Sequence, residues 1–233
     1  MTGMIRVETR DGKDAFDAYL AEPAGTPRAA VIVIQEIFGV NPGIRKKCDD
    51  WAAEGYLAVA PDLFWRIERN VELDPDVPDQ FQRALALMGK FDQDLGIADI
   101  EASIHAARAR IGADGKVGVV GYCLGGRLAY MTAARTDIDA SVGYYGVGID
   151  NLLDEKHAIA KPLLLHIAGA DHFVTPDVQA KMHAGLDDHP RVTLIDYPGE
   201  DHGFAAEMGK RRSEAAAQQA DQRTRDFFAE HLG

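Results

Sequence analysis

The residues whose types and spacing best suit chemistry are Cys123, Asp171 and His202. Cys123 lies in Gly121-Tyr122-Cys123-Leu124-Gly125-Gly126, a G-x-S-x-G pattern with cysteine in place of serine, between an apolar run, Val117–Val120, and a helix-forming stretch, Arg127–Ala134. A nucleophile carried on a sharp strand-to-helix turn needs glycine on both sides, because side chains there would collide with neighbouring backbone. Such a turn lifts the sulfur above the strand end and sets it at a helix N-terminus, where the partial positive charge favours the thiolate. A thiolate that attacks an acyl carbon also needs a proton carrier for the leaving group and a third residue to orient that carrier. His202, in Gly199-Glu200-Asp201-His202-Gly203-Phe204, and Asp171, in Gly169-Ala170-Asp171-His172-Phe173-Val174, supply them in the chain order nucleophile, acid, histidine. Each residue alone has a plainer reading: a core cysteine beside a tight turn, a turn aspartate, a structural histidine. Their joint occurrence points to acyl transfer.

These residues must be positioned by the elements that precede them. Apolar runs rich in β-branched residues at Ala29–Ile34, Leu57–Ala60, Val117–Val120, Ala140–Tyr145, Leu163–Ile167 and Val192–Tyr197 predict buried parallel strands. Helical signals lie between them. Asn41 as cap with Pro42 at the first helical position opens a helix that Gly55 closes, and Ile97, Ile100, Ile104 and Ile111 form a buried stripe on a helix over about 92–111. Thr175 with Pro176 starts another helix, and Ser213 opens a last one that runs to Leu232. The alternation implies a doubly wound, mostly parallel α/β sheet flanked by helices, with residues 1–233 in a single domain. Ile5–Thr9 and Phe16–Ala21, joined through Arg10-Asp11-Gly12, predict a hairpin added at one edge. Cys123, Asp171 and His202 then all follow strand carboxyl ends, where open α/β sheets build their sites.

Composition narrows the function classes. The 233 residues carry a formal net charge of -12 spread along the chain, which speaks for solubility and against nucleic acid as a partner. No stretch approaches the roughly 20 apolar residues of a membrane span, and the N-terminal residues turn charged where a signal peptide would be apolar, so the expected compartment is the cytoplasm. Two cysteines, Cys48 and Cys123, are too few for a disulfide framework, and Cys48 reads as packing inside the first helix. His166, His172 and Asp171 are close in sequence, but no further ligand pattern accompanies them and His166 falls within a strand, so no metal is expected. The expected state is a monomer.

Gly-Tyr-Cys-Leu-Gly-Gly, Gly-Ala-Asp-His-Phe-Val and Glu-Asp-His-Gly-Phe resemble the three active-site segments of the dienelactone hydrolases, and Gln35-Glu36-Ile37-Phe38-Gly39 resembles that family's Q-E-I-x-G loop. The similarity runs over nearly the whole chain, Gly143-Tyr144-Tyr145-Gly146 included. The resemblance implies an α/β-hydrolase fold and cofactor-free hydrolysis of a small carboxylic ester or lactone through a thioester. It implies a Cys123-His202-Asp171 triad, an oxyanion hole from the backbone N–H groups of Leu124 and Ile37, and a hydrogen bond from Glu36 that holds the resting thiol. Phe38, Tyr145 and Phe173 would line the pocket.

The same resemblance leaves the substrate open. Family members that act on dienelactone bind its carboxylate with two arginines, and the matching positions here are Phe81 and Ala206, which cannot pair with an anion. Arg83, Arg127, Arg211 and Arg212 are the candidate replacements, since a guanidinium fits a carboxylate best. The alternative functions are a non-catalytic ligand-binding protein and a redox sensor that uses Cys123, both on the same fold.

Overall fold

The computed structural model describes residues 2–233. In chain order, β1 (Gly3–Glu8), β2 (Ala15–Ala21) and β3 (Ala30–Ile34) lead into α1 (Pro42–Ala53), β4 (Leu57–Pro61), α2 (Pro78–Met88) and α3 (Gln93–Ile111). Then come β5 (Val117–Tyr122), α4 (Leu124–Arg135), β6 (Ala140–Tyr144), two short 3-10 turns, β7 (Leu163–Ala168), α5 (Pro176–Leu186), β8 (Val192–Tyr197) and α6 (Glu214–Leu232). The eight strands form one sheet in the order β1-β2-β4-β3-β5-β6-β7-β8. Strand β2 runs antiparallel to both β1 and β4, and every other pairing is parallel.

Strands β3, β4 and β5 are buried along their whole length because both faces are covered, which is why their sequences are apolar without alternation. Ile32, Ile34 and Val119 pack with Ile97, Ile100 and Ile104 of α3 and Leu128 of α4. On the opposite face, Val31, Val33 and Val120 pack with Cys48 and Trp51 of α1 and Phe228 of α6. Each fully buried branched side chain contributes about 1.5–3 kcal/mol, so this central sandwich is the rigid base of the molecule.

Of the predicted helix starts, Asn41 caps α1 with its side chain, whereas Thr175 and Ser213 take the N-cap positions of α5 and α6 without a side-chain capping bond. Asn41 Oδ1 accepts from Ile44 N at 3.1 Å, Asp92 accepts from Asp94 N and Leu95 N, and Gly55, at φ +91°, takes the left-handed position past α1. Three expectations change. Strand β5 runs on to Tyr122, directly below the nucleophile turn. Strand β6 stops at Tyr144, because Tyr145 adopts φ +39° and turns the chain out of the sheet. Helix α2 was not expected: its N-cap, Val77, makes no side-chain capping bond, so the polar start signal is missing. Pro78 at the first helical position and the spacing Phe81, Ala84, Leu85, Met88 were the available signals.

Candidate active site

The turn that carries Cys123 is built by close backbone approach. Cys123 has φ +57° and ψ -112°, a conformation that costs a non-glycine residue about 1–3 kcal/mol and persists only where the surroundings impose it. Here they do. A Cβ on Gly121 would lie 2.0 Å from the Gly125 carbonyl oxygen, and one on Gly125 would lie 2.5 Å from that of Ile34. The Cys123 N–H donates to the Tyr144 carbonyl at 3.0 Å, which ties the turn to β6. The sulfur-bearing residue is partly exposed and opens α4, as the glycine pattern required.

Asp171 and His202 meet across the loops that follow β7 and β8. Asp171 Oδ2 and His202 Nδ1 are 2.8 Å apart, and both side chains are buried. The other carboxylate oxygen accepts from Phe173 N at 2.8 Å and Val174 N at 3.2 Å, so the carboxylate cannot rotate without losing two bonds. His202 Nε2 is buried without a hydrogen-bond partner of acceptable geometry, and its ring is held edge-on by Tyr145 and Phe173 at centroid distances of 5.0 and 4.9 Å. Burial works against an imidazolium here, but the charge on Cys123 and the hydrogen bond to Asp171 outweigh it and push the His202 pKa up to about 10. That direction keeps the proton on the imidazole at neutral pH.

The loop after β3 brings one more backbone group, that of Ile37, to the same cavity. Its shape is fixed from below: Gln35 is fully buried, and its side-chain oxygen accepts from Leu63 N at 3.1 Å. It is fixed from the side by an isolated bridge between Gly39 and Glu72 and by the Leu73 N–H, which donates to Phe38 O at 2.9 Å. Gly39 takes φ +75°, and a Cβ there would sit 1.8 Å from the Val71 carbonyl oxygen. The N–H groups of Ile37 and Leu124 donate to no protein acceptor among the described residues, and both residues border the cavity above Cys123.

That cavity measures about 320 Å³. Cys123 and His202 form part of its floor, with Ile37, Phe38, Leu124 and Phe173 around them. Helix α2 closes the far wall with Phe81, Leu85 and Met88, and Phe91, Gln93 and Val147 complete it. None of these last residues except Phe81 was singled out from the sequence, because helix α2 carried no cap signal. Tyr145, expected in the pocket wall, does not line the cavity: it is buried behind His202, where its ring packs on the imidazole and on Phe204.

Glu36 also departs from expectation. It makes no hydrogen bond to Cys123; instead Arg211 Nη2 donates to both of its carboxylate oxygens at 3.3 Å. Burial opposes the Arg211 charge, but Glu36 more than compensates and the guanidinium pKa rises. Arg211 also lies over the Phe38 ring, 5.4 Å from its centroid. Among the four candidate arginines only Arg127 and Arg211 border the cavity. Arg83 points to solvent and pairs with Glu68, and Arg212 is held by Glu207 and Glu214. Ala206 is buried outside the cavity.

His166 is a buried structural histidine. It bonds Tyr197 OH and Thr224 Oγ1, both at 2.9 Å, and burial pushes its pKa down to about 3, so it is neutral. Cys48 is fully buried beside Trp51, as its place in α1 suggested. Asp171, His172 and Asp201 bring three potential metal ligands together. The Asp171 oxygens, however, are already engaged by His202, Phe173 and Val174, and His172 pairs with Asp201 at 2.8 Å. Among the described residues, no helix is long and apolar enough to cross a membrane.

Comparison with known proteins agrees with this architecture. Residues 16–232 match the model of the dienelactone hydrolase family. A relative from Azospirillum brasilense, assigned as a carboxymethylenebutenolidase, is 47% identical over 221 residues, 94% of this chain and 95% of its own. The carboxymethylenebutenolidase of Pseudomonas putida is 37% identical over 229 residues, 98% and 97% of the two chains. A solved structure from Klebsiella pneumoniae, assigned to the dienelactone hydrolases, superposes with a TM-score of 0.84 at 28% identity and covers 99% of this chain and 100% of its own. With an eight-stranded α/β-hydrolase sheet and full-length relatives of this kind, the chain belongs to the dienelactone hydrolase family and is a hydrolase of carboxylic esters or lactones.

Proposed function

We propose that the protein hydrolyses a small ester or lactone by nucleophilic catalysis at Cys123. The Cys123 thiolate attacks the acyl carbon and a C–S bond forms, while the carbonyl oxygen becomes an oxyanion that the Ile37 and Leu124 N–H groups receive. As the tetrahedral species collapses, the C–O bond breaks and the His202 imidazolium gives its Nε2 proton to the departing oxygen. The neutral imidazole then takes a proton from water, the hydroxide adds to the thioester, and the C–S bond breaks to release the acid and restore the thiolate. Asp171 holds the imidazole tautomer through Nδ1 and favours its charged form. Glu36 orients Arg211 at the rim, rather than holding the resting thiol.

The observation that carries this reading is the buried 2.8 Å Asp171–His202 contact, with the unpartnered Nε2 and the strained Cys123 turn meeting at the floor of one cavity. A rapid-quench experiment tests it. Mixing the protein with a 4-nitrophenyl ester and analysing peptides by mass spectrometry should find the acyl group on Cys123, with a burst of nitrophenolate that Cys123→Ala lacks. An undiminished rate in Cys123→Ala, with no adduct on Cys123, would refute the mechanism.

A further inference from the structure

The cavity is apolar apart from a few groups, and those groups differ in how they are satisfied. Arg211 is committed to Glu36. Arg127 is not committed to any carboxylate: among the described residues it makes no ion pair, and its Nε, like that of Arg211, is buried without an acceptor. The acids nearest to it electrostatically are held by other cations. Glu155 is bound by Arg135, which also takes Asp94, and Asp150 lies 4.0 Å from Lys181. Burial and the Arg135 charge push against the Arg127 cation and outweigh the attraction of Asp150 and Glu155, so the fold keeps a guanidinium there without a carboxylate paired to it. Gln93, in the same wall, likewise has a buried side-chain oxygen without a partner.

The position is as informative as the charge. Arg127 lies one helical turn beyond the nucleophile on α4, and its N–H donates to the Cys123 carbonyl at 3.2 Å. Arg127 and Cys123 both line the cavity, so the guanidinium and the sulfur border one space. The guanidinium rests against the turn after β6, where a Cβ on Gly148 would come within 2.9 Å of Arg127 Nη1. Its approach to the cavity therefore depends on that glycine.

We propose that Arg127 is the specificity-determining residue of this site: it binds a carboxylate carried by the substrate about one helical turn from the scissile acyl carbon, which makes the preferred substrate an anionic ester or lactone. This rests on the hydrolase reading above. A guanidinium offers a carboxylate two parallel N–H donors, and an incoming carboxylate supplies the acceptor that Nε lacks. Gln93 contributes a neutral polar contact in the same wall.

The test compares kcat/KM for 4-nitrophenyl hydrogen glutarate, whose carboxylate lies at that reach, with kcat/KM for its neutral methyl ester, with Cys123→Ala as the background. Wild-type protein should favour the anionic ester, and Arg127→Met should lower its kcat/KM about thirtyfold while the neutral ester changes by less than about threefold. Arg127→Lys should restore part of the preference. Arg83→Met, outside the cavity, should leave the ratio between the two esters unchanged. In case Arg127→Met does not fold, a measurement on wild-type protein stands beside it: glutarate should inhibit hydrolysis of the neutral ester competitively, and its uncharged diamide should not. A wild-type preference for the neutral ester, equal losses on both esters in Arg127→Met, or equal inhibition by the diamide would overturn the assignment of Arg127 alone. Turnover of neither ester above background would overturn the hydrolase reading on which it rests.

Discussion

The floor and the far wall of the cavity are made differently. The floor, with Cys123, Asp171, His202 and the amides of Ile37 and Leu124, is fixed by backbone: positive-φ turns, carbonyls packed against glycines, and a carboxylate held by two N–H groups. The wall, with Phe81, Leu85 and Met88 from α2 and Arg127 from α4, is fixed by side-chain identity on ordinary helices, and Met88 is 41% exposed. On the proposed mechanism, the contrast places the reaction in backbone geometry and substrate choice in side chains that can change without disturbing the turns. Wall substitutions should therefore move KM and preference, and floor substitutions should move kcat or stability.

The largest effect should come from the floor's charged pair. Asp171→Asn keeps an oxygen for the Phe173 and Val174 N–H groups but turns an amide N–H toward His202, which forces the wrong tautomer. A loss of about ten-thousandfold in kcat with the fold intact is expected, and steady-state kinetics with circular dichroism would check it. A loss under about tenfold would mean that the floor does not act through His202 orientation.

Next comes stability. Gly121→Ala places a Cβ against the Gly125 carbonyl, which has no room to retreat, and should cost about 3 kcal/mol or more by urea unfolding. Gly3→Ala, which meets nothing within 4 Å, should stay within about 0.5 kcal/mol of wild type. Equal costs would erase the distinction between backbone-fixed and open positions.

The pH profile sharpens the electrostatic half of the comparison. His202 is raised from 6.5 to about 10 by Cys123 and Asp171 against burial, so its proton stays on through neutrality. The limb of kcat/KM that depends on this proton should fall as pH rises through about 10, with no step near 6.5. The same linkage gives the folded state stabilisation that is complete below 6.5 and disappears as pH climbs through about 10. Chemical unfolding between these limits checks the sign. A maximum in kcat/KM that already declines near pH 7 would show that the ion pair is not the resting state.

The smallest effects belong to the wall. Phe81→Ala and Leu85→Ala should raise KM for a short neutral ester by up to about tenfold and shift preference toward bulkier acyl groups, with kcat nearly constant. A kcat loss as large as that of a floor variant would show that α2 positions the chemistry as well as the substrate.

Much of the floor was legible because its constraints are local. Glycines flank Cys123, Pro42 and Asn41 start α1, and apolar runs mark strands whose ends deliver Asp171 and His202. Near the cavity, the sequence was least informative where partners are distant. Glu36 and Arg211 are 175 residues apart, and their contact depends on how the loop after β3 meets the one before α6. Tyr145 follows an apolar run that reads as strand, yet its φ of +39° turns it behind His202 and away from the pocket.

By itself, then, the sequence determined which strand ends carry Cys123, Asp171 and His202, the tight turn at Cys123 and the family, because steric and periodic constraints act over a few residues. Only the tertiary structure decided which two of the four arginines border the cavity, and that Arg211 pairs with a carboxylate while Arg127 does not. Charge balance depends on which groups meet in space, and no spacing along the chain encodes that.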